Sequence, residues 1–184
     1  YYFNGYLQNF QIAKQAVYTC NFTPPDTLLT KCCPDPVEPA CDDVVLHLQT
    51  DTTDVSEMIM DVSGENHTIT THGDATHSTA ETILGSSSLY FDGNESYISL
   101  EPHDNWRDMY NSKYTWEFWF RTTDINSGIG SGYGSLFSVN YDSVSVLYGC
   151  GFDSSGNLSF RYWDASATRT INGTTTIQTN QWYH

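Results

Sequence analysis

Along most of this chain, apolar and polar residues alternate with a period of two. The clearest stretch is 114–121, where Tyr114, Trp116, Phe118 and Phe120 alternate with Thr115, Glu117, Trp119 and Arg121. Successive side chains on a strand point to opposite faces, so this segment predicts a strand with one wholly aromatic side. Shorter runs of the same kind predict strands at 1–13, 44–49, 68–71, 88–91, 97–100, 135–139, 144–152, 158–163 and 168–172. Turn residues separate them: the run 61–66, Asp92-Gly93-Asn94 as a hairpin turn, Ser154-Ser155-Gly156 and Asn172-Gly173. Only 103–110 predicts a helical turn. Many short antiparallel strands, few helices and a thick aromatic core predict an all-β fold, a two-sheet jelly-roll sandwich.

The pattern fails between 19 and 42. Pro24, Pro25, Pro34, Pro36 and Pro39 exclude a helix or a central strand there, and the segment reads as a linker. It also holds Cys20, Cys32, Cys33 and Cys41. Cysteines clustered where little core can form read as disulfide staples in an oxidising compartment. A zinc site fits worse, because Cys32 and Cys33 are adjacent and chelate poorly. A bond between those two would be strained, so each is expected to pair with Cys20 or Cys41, in an order the spacing leaves open. The fifth cysteine, Cys150, reads as a buried thiol or as a partner for a residue elsewhere.

Charge changes the picture of partners. The 184 residues carry 7 Lys+Arg against 22 Asp+Glu, a net charge of -15. Such a surface repels phosphate backbones and argues against nucleic-acid binding. Cations, Ca²⁺ above all, are the charged partners it favours, although an acidic exterior also simply keeps a protein soluble. Mean hydropathy is -0.43 and no apolar run approaches the ~18 residues that cross a bilayer. Five Asn-x-Ser/Thr sequons, at Asn21, Asn66, Asn94, Asn157 and Asn172, fall in predicted turns or strand edges. With the cysteines they predict a secreted, N-glycosylated protein.

Several motifs resemble one family as a set. The run Gly85-Ser-Ser-Ser-Leu-Tyr-Phe-Asp-Gly93, then Tyr97-Ile-Ser-Leu100, Tyr114-Thr-Trp-Glu-Phe-Trp-Phe120 and Gln181-Trp-Tyr-His184 are similar, in order and spacing, to laminin G-like, concanavalin A-like jelly rolls. Asp61-Val-Ser-Gly-Glu-Asn66 with His67 matches an early turn of that family. The head of the chain, Phe3-Asn-Gly-Tyr-Leu-Gln-Asn-Phe-Gln-Ile12, resembles the closing strand of such a domain. The resemblance therefore implies three parts: 1–18 as the terminal strand of a preceding repeat, 19–42 as linker, and 43–184 as a jelly roll incomplete at its C-terminal end. It places the closing strand beside the opening strand at 44–49, on a sandwich edge, with Tyr2, Asn4, Tyr6, Gln8 and Phe10 on one side. Pairing with a neighbouring copy is the expectation, which makes other copies of the chain the first partners.

The resemblance also frames the chemistry. Glycanases of this fold carry Glu-x-Asp-x-Glu on one strand, whereas Glu117 has no carboxylate two positions away, so catalysis is not expected. Asp61 and Asp92 are the candidate Ca²⁺ ligands, although the family's acidic pair on the closing strand is Gln8-Asn9 here. Trp106, Trp119 and Trp163 are candidate platforms for stacking on sugars. Two functions follow: a structural repeat of an extracellular glycosylated fibre, or a carbohydrate-binding adhesion module that uses Ca²⁺.

Overall fold

The computed structural model describes residues 2–15, 24, 43–53, 58–107, 109, 113–125, 135–140, 146–163 and 166–184. Cys20, Cys32, Cys33, Cys41 and Asn21 lie outside the described residues, as does nearly all of the linker.

The first strand, β1 (Asn4–Ala13), organises the molecule. Its N-terminal half lies between β5 (Ser88–Asp92) and β7 (Thr115–Thr122), with Leu7 opposite both Leu89 and Phe120. Its C-terminal half lies between β7 and β2 (Val44–His47), with Gln11 opposite Glu117 and His47. Adding β4 (Thr76–Ser78) beyond β5 and β12 (Trp182–Tyr183) beyond β7 completes a six-stranded antiparallel sheet.

The neighbour to the opening strand is as the family pattern implies, but two expectations are corrected. The strand is central rather than at an edge, and it pairs within its own chain rather than with another copy. The reason is its burial: every position from Leu7 to Ala13 is buried, which only a strand flanked and covered on both faces achieves. Some 27 residues separate Gln15 from Asp43, and an extended chain of that length spans up to ~90 Å, so the connection sets no barrier to folding back.

A bulge between Gln8 and Gln11 alters the side-chain pattern of β1. Asn9 takes φ 54, a left-handed conformation that asparagine tolerates better than most residues. The extra residue shifts the alternation by one, so Phe10 joins Phe3, Leu7 and Ile12 in the core between the sheets instead of sharing the opposite face with Tyr6 and Gln8.

The second sheet orders β11 (Thr168–Thr176), β10 (Asn157–Trp163), β9 (Val146–Phe152) and β8 (Phe137–Asn140). Asn172 and Gly173 therefore lie within β11 instead of forming a turn. The strand departs from regular pairing just there, between the Asn157–Thr176 and Ser159–Asn172 pairs. A short ribbon pairs β3 (Ile69–His72) with β6 (Tyr97–Leu100), and α1 (Asp104–Arg107) is the expected helical turn. The predicted hairpin around Asp92 is corrected too: β5 and β6 pair with different partners. Between them Gly93 and Glu95 take φ 77 and 61, and the chain leaves one sheet for the other element.

The core fills the space between the sheets with aromatic rings. Phe10 stacks on Phe118 at 5.3 Å, Trp116 stacks on Phe137 at 3.9 Å, and Phe120 meets Phe152 at 6.0 Å. The aromatic face read from 114–121 is thus the face that joins the two sheets.

Candidate functional site

On β10, Leu158, Phe160 and Tyr162 turn inward and pack against the core. Ser159, Arg161 and Trp163 consequently share the outer face, and pairing sets them opposite Asn172, Thr170 and Thr168 of β11. Those three β11 residues are exposed, and Trp163 keeps 42% of its surface accessible. Ser159 Oγ donates to Asn172 Oδ1 at 2.8 Å, which fixes that amide against the sheet. The result is a flat face of hydroxyl and amide groups bordered by an exposed indole. Such a face can stack on the apolar side of a sugar ring while its polar groups meet the hydroxyls.

The other two tryptophans are placed differently. Trp106 is 8% exposed and packs edge-on against His67 at 4.5 Å, so it belongs to the core and is no platform. Trp119 is half-buried against His184 at 5.1 Å. Sequence reasoning missed a different aromatic surface: His72 stacks on Tyr97 at 4.1 Å, and Tyr97, itself 41% exposed, stacks on Tyr2 at 5.8 Å.

Asp61 and Asp92 do not share a site. Asp92 is opposite Asn4, while Asp61 bonds to His47, which lies opposite Gln11; seven strand positions put them about 20 Å apart along β1. The buried Asp61 carboxylate accepts from the backbone N–H of His47, Ser63 and His67 and from Ser63 Oγ, all at 2.8–2.9 Å. Four donors fill the lone pairs of a carboxylate, so nothing remains for a cation. Asp92 is held below the usual carboxylate range by hydrogen bonds, first from the Ser96 hydroxyl and then from the Asn94 backbone. Both acids serve their turns, and the two do not converge on one cation.

Four sequons fall on described residues. Asn66 and Asn94 are exposed turn residues, and Asn172 is exposed on the outer face of β11. Asn157 is tied down on both sides, donating to Asp153 Oδ2 at 3.2 Å and accepting from Thr176 Oγ1 at 3.1 Å. Cys150 is a buried free thiol, and burial pushes its pKa up to about 12.

Beside β12, a cleft of about 350 Å³ opens between the sheets, walled by Trp116, Phe118, Phe137, Leu158 and Phe160. Glu117 and His184 stand at its rim, joined by Glu117 Oε1 and His184 Nε2 at 3.0 Å, and Gln11 Nε2 donates to Glu117 Oε2 at 2.9 Å. The walls are too apolar to receive a sugar.

The sequence from Asp92 to His184 matches the laminin G-like family described as the concanavalin A-like lectin/glucanases superfamily. That segment holds β7, the entire four-stranded sheet and β12, and it spans half of the chain. The chain belongs to this family. No curated protein and no solved structure matches it. As a laminin G-like chain it is a β-sandwich module, and among its described residues no helix is long and apolar enough to cross a membrane. The family description pairs lectins with glucanases, and these ask different things of a site. A retaining glucanase needs two carboxyl groups ~5 Å apart; here Gln11 and His184 are among the groups that hold Glu117.

Proposed function

We propose that this laminin G-like chain is a non-enzymatic, glycan-binding module of a secreted glycoprotein, and that it binds sugars on the outer face of β10 and β11. The observation that carries this reading is Trp163, the one sequence-predicted platform left exposed, standing beside a row of exposed threonine and asparagine side chains. On β7 the positions two residues either side of Glu117 are Thr115 and Trp119, which supports binding over hydrolysis. The five sequons and the cysteine-rich linker support secretion. A fibre repeat that donates its first strand to a neighbour loses its main support, because β1 is consumed in its own sheet.

Titration with neutral oligosaccharides, followed by tryptophan fluorescence, tests the proposal. Binding should quench Trp163, and Trp163→Ala should weaken it by about tenfold or more, roughly 1.4 kcal/mol. Binding that survives Trp163→Ala unchanged, or a complete lack of response across a broad glycan panel, would refute it.

A further inference from the structure

The edge of the four-stranded sheet has properties that glycan binding does not use. All nine residues of β11 are exposed, and among the described residues the strand pairs only with β10. Exposed edges recruit strands, and proteins usually blunt them with short length or charge. The edges at β4 and β12 are blunted by length, at three and two residues. β11 has neither defence: it carries one charged residue, Arg169, and Ile171 is 60% exposed.

We propose that β11 is an interface between two copies of this chain, paired antiparallel about a two-fold axis at Thr170. Charge decides the occupant. On a molecule of net charge -15, two copies repel wherever acidic surfaces meet, and β11 is a long edge without a carboxylate. Register supports the axis. Regular pairing with β10 runs from Thr168 to Asn172 and is lost beyond it, leaving five regular residues centred on Thr170. A strand paired with itself is isologous, so the central residue meets its own copy. Thr170 then faces Thr170, Thr168 faces Asn172, and Arg169 faces Ile171 twice. Threonine pairs are favourable cross-strand neighbours. The aliphatic stem of Arg169 covers the exposed Ile171 of the second copy. The irregular stretch beyond Asn172 ends the ladder and limits the assembly to two. Asn172 projects from the sheet face, where Ser159 holds its carbonyl, so its side chain leaves the hydrogen-bonding edge open.

Five residues a side make a small contact, so the dimer is weak and depends on concentration. Sedimentation of the intact chain across two decades of concentration, without added glycan, should show reversible monomer–dimer exchange. Ile171→Lys, at an exposed position that leaves the thermal midpoint unchanged, should weaken dimerisation about tenfold or more by opposing Arg169 with a like charge. Thr175→Lys, in the irregular stretch, should change nothing. The double variant Arg169→Glu/Ile171→Lys sets opposite charges against each other and should restore the dimer. A monomer at every concentration overturns the proposal, as does a dimer that Ile171→Lys leaves intact or that the double variant fails to restore.

Discussion

Glu117 and His184 are joined at 3.0 Å with 2% and 8% of their side chains exposed, which makes them a buried pair at the mouth of an otherwise apolar cleft. Gln11 completes the set from the neighbouring strand. Removing one member of a buried pair leaves the other without compensation, so Glu117→Ala should destabilise the fold by about 3–5 kcal/mol. Glu117→Gln keeps the shape and a hydrogen-bonding group and should cost about 1–2 kcal/mol. Denaturant unfolding measures both. Because the pair is buried, the gap between wild type and Glu117→Ala should persist at high salt, where a surface pair would be screened.

Gln8 is wholly buried and clamps the loop before β5. Its Oε1 accepts from the backbone N–H of Ile83 and Leu84 at 3.0 Å, and its Nε2 donates to Leu84 O and, at 2.7 Å, to Ser87 O. A carboxylate has no hydrogen to donate, so Gln8→Glu should cost about 3 kcal/mol at neutral pH. Burial raises the pKa of the new acid when folded, which favours its neutral form. The deficit should therefore shrink as pH falls through the raised folded value and level off near the unfolded glutamate value of about 4.3. A deficit that stays constant with pH would contradict this account of the clamp.

Asp61 organises three backbone N–H groups around one carboxylate. Asp61→Ala strands them in a buried turn and should cost about 3–5 kcal/mol. With those oxygens already saturated, millimolar Ca²⁺ should leave the thermal midpoint of the wild-type protein unchanged, and chelator should do nothing. A rise in midpoint on adding Ca²⁺ would reinstate a metal role.

Acid should weaken the fold in two stages. Burial lowers the pKa of His47, and nearby Asp61 only partly offsets this. The unfolded chain thus binds the proton more readily, and stability is lost as pH falls below the unfolded value of about 6.5. Asp92 and Asp153 are shifted down by the hydrogen bonds they accept. Their contribution is present above the unfolded value of about 3.9 and is lost as pH falls through their lower folded values. Thermal midpoints across pH should show both declines, and His47→Gln should remove the earlier one.

The aromatic strand and the sandwich it builds were legible because Trp116, Phe118 and Phe120 obey a strict period of two and the sheet buries them as a set. The bulge in β1 was not, since nothing in the local pattern announces that Asn9 will turn left-handed and bring Phe10 inside. Nor was the fate of the hairpin at Asp92: turn residues there specify a reversal but not which strands the two arms will join. Trp163 and Trp106 differ in surroundings rather than in sequence character, since one ends a strand at the surface and the other sits under His67. The two acids follow a related rule. Asp61 and Asp92 both occupy turns, and a turn aspartate spends its oxygens on the backbone beside it.

The central place of β1 has a consequence for biosynthesis. Asn4 receives a hydrogen bond from Thr122, 118 residues later in the chain. At 5–20 residues per second, the ribosome takes roughly 6–24 s to make that partner. For that interval β1 can pair with β2 and β5 but lacks the strand on its other side. The middle of the six-stranded sheet is therefore closed on its second side only once β7 has been made.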